Sequence, residues 1–242
     1  MFMQNWSRRI WLVRHGLTQW NSEQRFCGHS DIPVSGEGKR QAQWLARRLS
    51  AERIAAVYSS DLLRAQRTAE IIAHPHGLQV NVTAAWRELS FGTWEGLTYG
   101  QIEQHSGRQP EFFRDPVHFA PPDGETLMDL VRRVQQAFVE LVHEQEGTIV
   151  LVSHGGPLRA LLCSLLAMPL ERQWQLRVDH GSLSALDVLP SIHSTRPNVS
   201  LALLNEQWPA RLKRVPTQDT ATEELASEST ERHKEGSIPH AR

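Results

Sequence analysis

Two strings of the chain share one layout. Leu12-Val13-Arg14-His15-Gly16 closes the β-forming run Ile10–Val13, and Leu151-Val152-Ser153-His154-Gly155 closes the run Thr148–Val152. Short apolar runs bounded by turn residues read as buried strands. Each string therefore puts a histidine where a buried strand ends, with a glycine behind it. In open parallel α/β sheets, ligands bind beyond the carboxyl ends of strands. Two imidazoles delivered to that edge from distant parts of the chain point to one site holding both.

The remaining pattern supplies a sheet and its cover. The segment 16–35 reads as a long loop over the end of the first strand. Ser35-Gly36-Glu37-Gly38 opens a helix with Ala42, Leu45, Ala46 and Leu49 at helical spacing. Ala55–Tyr58 reads as a strand, Ser59-Ser60-Asp61 as a capping cluster, and Asp61 to Ala73 as a helix closed by His74-Pro75-His76-Gly77. Gln79–Val82 follows as a strand. Residues 86–122 are rich in glycine and proline and weakly periodic, which predicts an insertion over the active-site edge, with a lid at about 93–122. Leu127, Leu130, Val131, Val134, Ala137, Phe138, Leu141 and Val142 form one helical stripe before Gly147. A helix with Pro157 in its first turn follows the second histidine string, and Leu183–Leu189 and Val199–Leu204 read as final strands.

Strands alternating with helices predict an α/β domain, with helices on both faces of a mostly parallel sheet. Its 242 residues suffice for one such domain. From Pro216 the chain is polar, so 1–215 is expected to be the domain and 216–242 a disordered tail. The net charge of −1 argues against a nucleic-acid partner. Cys27 and Cys163, the only cysteines, form no disulfide framework and no CxxC pair, which suits a cytoplasmic protein. No apolar run reaches the roughly 18 residues of a membrane span.

Three more segments carry chemistry. Ser59–Ala69 places Arg64 in the first turn of a helix, where guanidinium and helix N-terminus both favour an anion. Arg67 in the same segment reads as a solvated side chain. Arg87–Gly96 sets Glu88 beside a glycine-bearing aromatic loop, where partial burial suits a general acid. Glu95 is the competing carboxylate. Asp123-Gly124-Glu125-Thr126 is expected mainly to cap the long helix.

Taken together, LVRHGxTxxN, SSDLxRAxxTA, RELxFGxWEG, PDGETLxDLxxRV and VSHGG resemble the histidine phosphatase superfamily, which also holds the cofactor-dependent phosphoglycerate mutases. The resemblance covers about residues 10–205. It implies a Rossmann-like, phosphoglycerate mutase-like three-layer α/β/α sandwich with no metal or cofactor. It also implies His15 as the nucleophile that takes the phosphoryl group and Glu88 as the proton donor. Arg14, Arg64 and His154 would line the phosphate pocket, and Asn21 and the Gly155 backbone would complete it. His154 would donate most strongly if protonated.

Mutases of the family typically carry Glu-Arg-x-Tyr-Gly in the acid loop and a longer basic insertion. Glu88-Leu89-Ser90-Phe91-Gly92 is instead similar to phosphatase branches, among them α-ribazole phosphatases and fructose-2,6-bisphosphatase-like enzymes. Hydrolysis of a small phosphomonoester is therefore expected, with α-ribazole 5′-phosphate or a sugar phosphate as substrates. In the lid, Trp94, Tyr99, Phe112, Phe113 and Phe119 are available for the alcohol part, although Trp94 suits packing as well. The alternatives are a mutase, a phosphate-binding module without catalysis, and a zinc hydrolase. The last has 12 histidines in its favour but no HExxH spacing. Oligomeric state is not legible, and Cys27, though close to the site, has no role the sequence assigns.

Overall fold

The computed structural model describes residues 8–107, 109–189 and 198–208. The expected domain boundary at 215 and the tail 216–242 lie outside the described residues. β1 (Arg8–Arg14) is followed by α1 (Gln19–Ser22), α2 (Gly36–Leu49) and β2 (Ile54–Ser60). α3 (Leu63–Ala73) and β3 (Val80–Thr83) complete the first half. α4 (Tyr99–Ser106) sits within the lid segment, ahead of α5 (Leu127–Glu144) and β4 (Thr148–Ser153). α6 (Gly155–Leu165), β5 (Leu183–Leu189) and β6 (Asn198–Glu206) follow.

The strands form one six-stranded sheet in the order β3-β2-β4-β1-β5-β6. β1 to β4 run parallel, β5 alone runs against them, and β6, antiparallel to β5, returns to their direction at the sheet edge. β1 and β4 are neighbours, with Val13 opposite Val152 and Arg14 opposite Ser153. That register ends both strands at one level, so His15 and His154 leave the sheet side by side.

Period-two alternation along the central strands divides the core into two layers. Ile10, Leu12, Ile149 and Leu151 pack with Leu130, Val134 and Phe138 of α5 and Leu158 and Leu162 of α6. Trp11, Val13, Val150 and Val152 face the other way, onto Leu45 and Leu49 of α2 and Ala65, Ala69 and Ile72 of α3. This is the three-layer sandwich the pattern predicts. α5 starts at a capping box between Thr126 and Asp129 and buries the expected stripe. Leu130 near its start is fully buried, so truncation to alanine there costs about 2–5 kcal/mol.

Some local expectations fail. Asp61 does not cap α3. It binds Arg87 through two hydrogen bonds of 2.7 and 2.6 Å, and the N–H of Leu63 donates instead to Asp31 Oδ1 at 2.6 Å. The loop 16–35 contains α1, which opens at a Thr18–Asn21 capping box. A short 3-10 turn at Leu170–Gln175 leads towards β5 without any signal in the periodicity. Because β5 is antiparallel to β1, Leu183 at its start lies opposite Val13. The segment before β5 therefore arrives at the same edge as the histidines. Among the described residues, no helix is long and apolar enough to cross a membrane.

Candidate active site

His15 is 2% exposed and its N–H donates to Ser153 O at 3.0 Å, which ties the end of β1 to β4. Its Nδ1–H donates to Gly16 O at 2.8 Å. That bond fixes the tautomer, leaving the lone pair on Nε2. Burial first, then the charges of Arg64, His180 and Arg14, holds the imidazole well below its ordinary pKa. A neutral ring with a free nitrogen is the nucleophilic form.

The ring of His154 meets it edge to face, with centroids 4.9 Å apart. His154 occupies the N-cap position of α6 and is fully buried. Its Nδ1 accepts from Arg64 Nε at 3.2 Å. The remaining proton is thus on Nε2, which is buried with no partner among the described residues. Burial and the Arg64 charge push this pKa well down too. Burial beside a guanidinium disfavours a second charge on His154, so the donor here is the one N–H of its neutral ring.

Two arginines flank the pair. Arg64 is 1% exposed and is pinned by Ser30 O at 2.7 Å and Gly28 O at 2.6 Å. Arg14 donates from Nη1 to Val178 O at 2.7 Å and from Nη2 to His180 Nε2 at 2.6 Å. Its Nε is buried and has no partner among the described residues. Burial lowers its pKa to about 10, against the attraction of Glu88. Among the described residues neither arginine forms an ion pair with a carboxylate. Arg67, by contrast, pairs with Glu70 on the surface, as the sequence leads one to expect. Asn21 accepts from Thr18 Oγ1 at 2.8 Å and donates from Nδ2 to Cys27 Sγ at 3.3 Å.

Glu88 rather than Glu95 reaches the site. Its carboxylate accepts from the N–H of Leu89 at 2.9 Å and of Gly156 at 3.1 Å. Glu95 accepts instead from Ser30 Oγ at 2.6 Å and from the N–H groups of His29 and Ser30 at 2.8 and 2.7 Å. Glu95 therefore fastens the 28–30 turn to the acid loop. The loop is also clamped by Arg133, which donates to Ala85 O, Arg87 O and Glu88 O and pairs with Glu125 at 2.6 Å. Glu125 also accepts from Ser90 N–H at 3.0 Å. In Asp123–Thr126, then, Thr126 caps the helix, whereas Glu125 anchors the acid loop.

His15, Arg14, Asn21, Arg64, Glu88 and Gly155 line a cavity of about 500 Å³, with His154 packed behind His15 rather than in the cavity wall. Its outer wall is aromatic. Phe112 and Phe113 of the lid line it, as do Phe26, Phe91 and Trp174. Trp94 is buried and stacks on Phe113 with centroids 5.3 Å apart. Tyr99 meets Phe113 edge-on, and Phe119 is exposed and lines no part of the cavity. Trp94, Tyr99 and Phe119 therefore do not form its wall. Sequence reasoning missed His180, Arg159, Trp174 and Phe26, which sit in loops or on a helix face without a motif around them. Among the described residues, no three His, Cys, Asp or Glu side chains are grouped to hold a metal ion.

The profile of the "Histidine phosphatase superfamily (branch 1)" matches residues 10–194. An adenosylcobalamin/α-ribazole phosphatase of Escherichia coli is 34% identical over 182 residues, 74% of this chain and 90% of its own length. A protein of Citrobacter koseri named "Probable phosphoglycerate mutase GpmB" is 35% identical over 186 residues, 76% of this chain and 86% of its own. A mycobacterial glucosyl-3-phosphoglycerate phosphatase has a solved structure that superposes with a TM-score of 0.74 at 29% identity, covering 83% of this chain and 100% of the other. The matched span contains both histidines, both arginines and the acid loop, and the chain belongs to the histidine phosphatase superfamily.

Proposed function

We propose that this chain is a metal-independent phosphomonoesterase that works through a phosphohistidine at His15. The observation that carries the reading is the 2.8 Å bond from His15 Nδ1–H to Gly16 O. It leaves Nε2 as a bare lone pair in the field of Arg14 and Arg64, neither of which forms an ion pair with a carboxylate among the described residues. In the first step Nε2 attacks phosphorus and the bond to the alcohol oxygen breaks. Arg14, Arg64 and His154 Nε2–H hold the phosphoryl oxygens, where charge must be carried in the transition state. Asn21 and the N-terminal backbone of α6 at Gly155 complete the cradle. Glu88 gives its proton to the departing alkoxide. In the second step the Glu88 carboxylate takes a proton from water, the water oxygen attacks phosphorus, and the P–N bond breaks. Inorganic phosphate leaves and neutral His15 is restored.

The alcohol part would lie against Phe26, Phe91, Phe112 and Phe113. A cavity of about 500 Å³ has the size usual for a small-molecule site. Aromatic walls suit a substrate with a flat or apolar portion, and α-ribazole 5′-phosphate and sugar phosphates are the compounds to try. No nucleic-acid partner is invoked, because the formal charge is −1. Two free buried cysteines, Cys27 and Cys163, favour a cytoplasmic setting.

The test is phosphate release in EDTA from α-ribazole 5′-phosphate, fructose 2,6-bisphosphate, 3-phosphoglycerate and p-nitrophenyl phosphate, with acid-labile labelling followed in parallel. Release and labelling should both vanish in His15→Ala. Phosphoryl exchange between phosphoglycerates without release would mean a mutase. Binding of phosphate with neither reaction would mean a non-catalytic module.

A further inference from the structure

One turn beyond Gly155, α6 carries a guanidinium with no part in the reaction just described. Arg159 Nε–H donates to Leu176 O at 3.0 Å, and the guanidinium lies over the indole of Trp174, 5.0 Å from its centroid. Among the described residues no carboxylate pairs with it. With Nε engaged and one face on the indole, its Nη edge is left for the cavity, whose wall it forms.

The direction of that edge follows from Gly155. A Cβ placed on Gly155 would stand 2.9 Å from Arg159 Nη1, 3.1 Å from Arg14 Cζ and 3.3 Å from Arg14 Nε. Guanidinium groups from the end of β1 and from α6 therefore converge on the space a side chain at 155 would fill. Arg14 Nε is buried there without a partner among the described residues. An unpaired buried N–H and two neighbouring unpaired cations are each unfavourable. One anionic oxygen between them relieves both.

We propose that Arg159 is a third guanidinium of the phosphoryl pocket, its Nη1 sharing one phosphoryl oxygen with Arg14 Nε above Gly155. The proposal rests on the phosphatase reading only for the identity of the anion. Trp174, 70% exposed, acts as the stop that keeps the guanidinium from turning out to solvent. Lysine would not replace Arg159, because a point charge cannot both bind Leu176 O through Nε and present a second N–H to the oxygen.

The experiment compares wild type with Arg159→Met, Arg159→Lys and Trp174→Ala. The probes are orthovanadate and inorganic phosphate by calorimetry, and p-nitrophenyl phosphate and 3-phosphoglycerate by turnover. Both Arg159 variants should weaken orthovanadate binding by about 10- to 100-fold. They should also lower kcat/KM for the two esters by the same factor, with Trp174→Ala showing a smaller loss of the same pattern. Orthovanadate binding and p-nitrophenyl phosphate turnover within twofold of wild type would overturn the proposal. A loss confined to 3-phosphoglycerate would overturn it too, and would place Arg159 on the alcohol instead. If Arg159→Met does not fold, Arg159→Lys decides by the same criteria. Because oxyanion binding is read without turnover, a protein that binds orthovanadate through Arg159 but hydrolyses nothing would retain this proposal and lose the phosphatase one.

Discussion

His180 Nε2 accepts a hydrogen bond from Arg14 Nη2 at 2.6 Å, and its ring lies 5.4 Å from that of His15. His180 is a positioning residue: it holds one nitrogen of Arg14 while Val178 O holds another. The segment itself is fixed from β6, since Asp179 N–H donates to Asn205 Oδ1 at 2.7 Å and Asn205 Nδ2 donates back to Asp179 at 3.0 Å. Burial and the neighbouring arginines, Arg14 foremost, lower the His180 pKa to about 2, so it stays an acceptor. His180→Ala should reduce kcat/KM about tenfold at unchanged thermal stability, and His180→Asn, which keeps an acceptor, should recover part of the loss. Lower stability with kcat/KM intact would assign His180 to packing alone.

Glu88→Gln removes the proton that the leaving alkoxide needs but keeps the side-chain shape. Loss should therefore grow with the pKa of the alcohol. For p-nitrophenol, which departs without protonation, it should be slight in the first step, and for a sugar alcohol it should approach the 10²–10⁴-fold typical of general acids. The check is a plot of log kcat/KM against leaving-group pKa for both proteins. Parallel lines would reduce Glu88 to a structural carboxylate.

Stability should fall on the acid side of neutrality. His15 and His154 have folded-state pKa values held well below the ordinary 6.5 by burial. An unfolded chain therefore takes up protons at a pH where the folded one does not. Their contribution is complete above about 6.5 and is lost as pH falls from there towards the depressed folded values. The slope is up to about 1.4 kcal/mol per pH unit for each group. Urea melts at pH 7.5 and 5.5 read it directly, and equal midpoints would show that the two imidazoles are not buried as described.

Much of this site is written in short strings whose residues act where they stand. Arg14 and His15 close β1, His154 follows β4, and Arg64 opens α3, so strand-end and helix-start patterns locate them. From the residues alone Glu88 and Glu95 compete, since both carboxylates flank the same loop, and it is the family resemblance that selects Glu88. What separates them is long-range, namely which one meets the 28–30 turn and which meets α6. His180 and Trp174 left no trace because they depend on β5 running antiparallel, which delivers an aperiodic segment to the catalytic edge, and Arg159 on α6 left none because no motif surrounds it. Asp61 shows the opposite failure. Its sequence neighbourhood favours capping, but two hydrogen bonds to Arg87 outweigh the local preference. The lid aromatics were legible as a group but not singly, because packing within the lid and lining of the cavity draw on the same residue types.

The pairing of β1 with β4 has one more consequence. His15 and His154 leave the ends of these two paired strands, so the site is lost when the strands separate and occupancy is linked to folding. An oxyanion at a hundred times its dissociation constant should stabilise the sheet by about 2.7 kcal/mol. Amide hydrogen exchange should then slow not only beside the pocket but also at Ile10 and Ile149, paired at the far end of the same two strands.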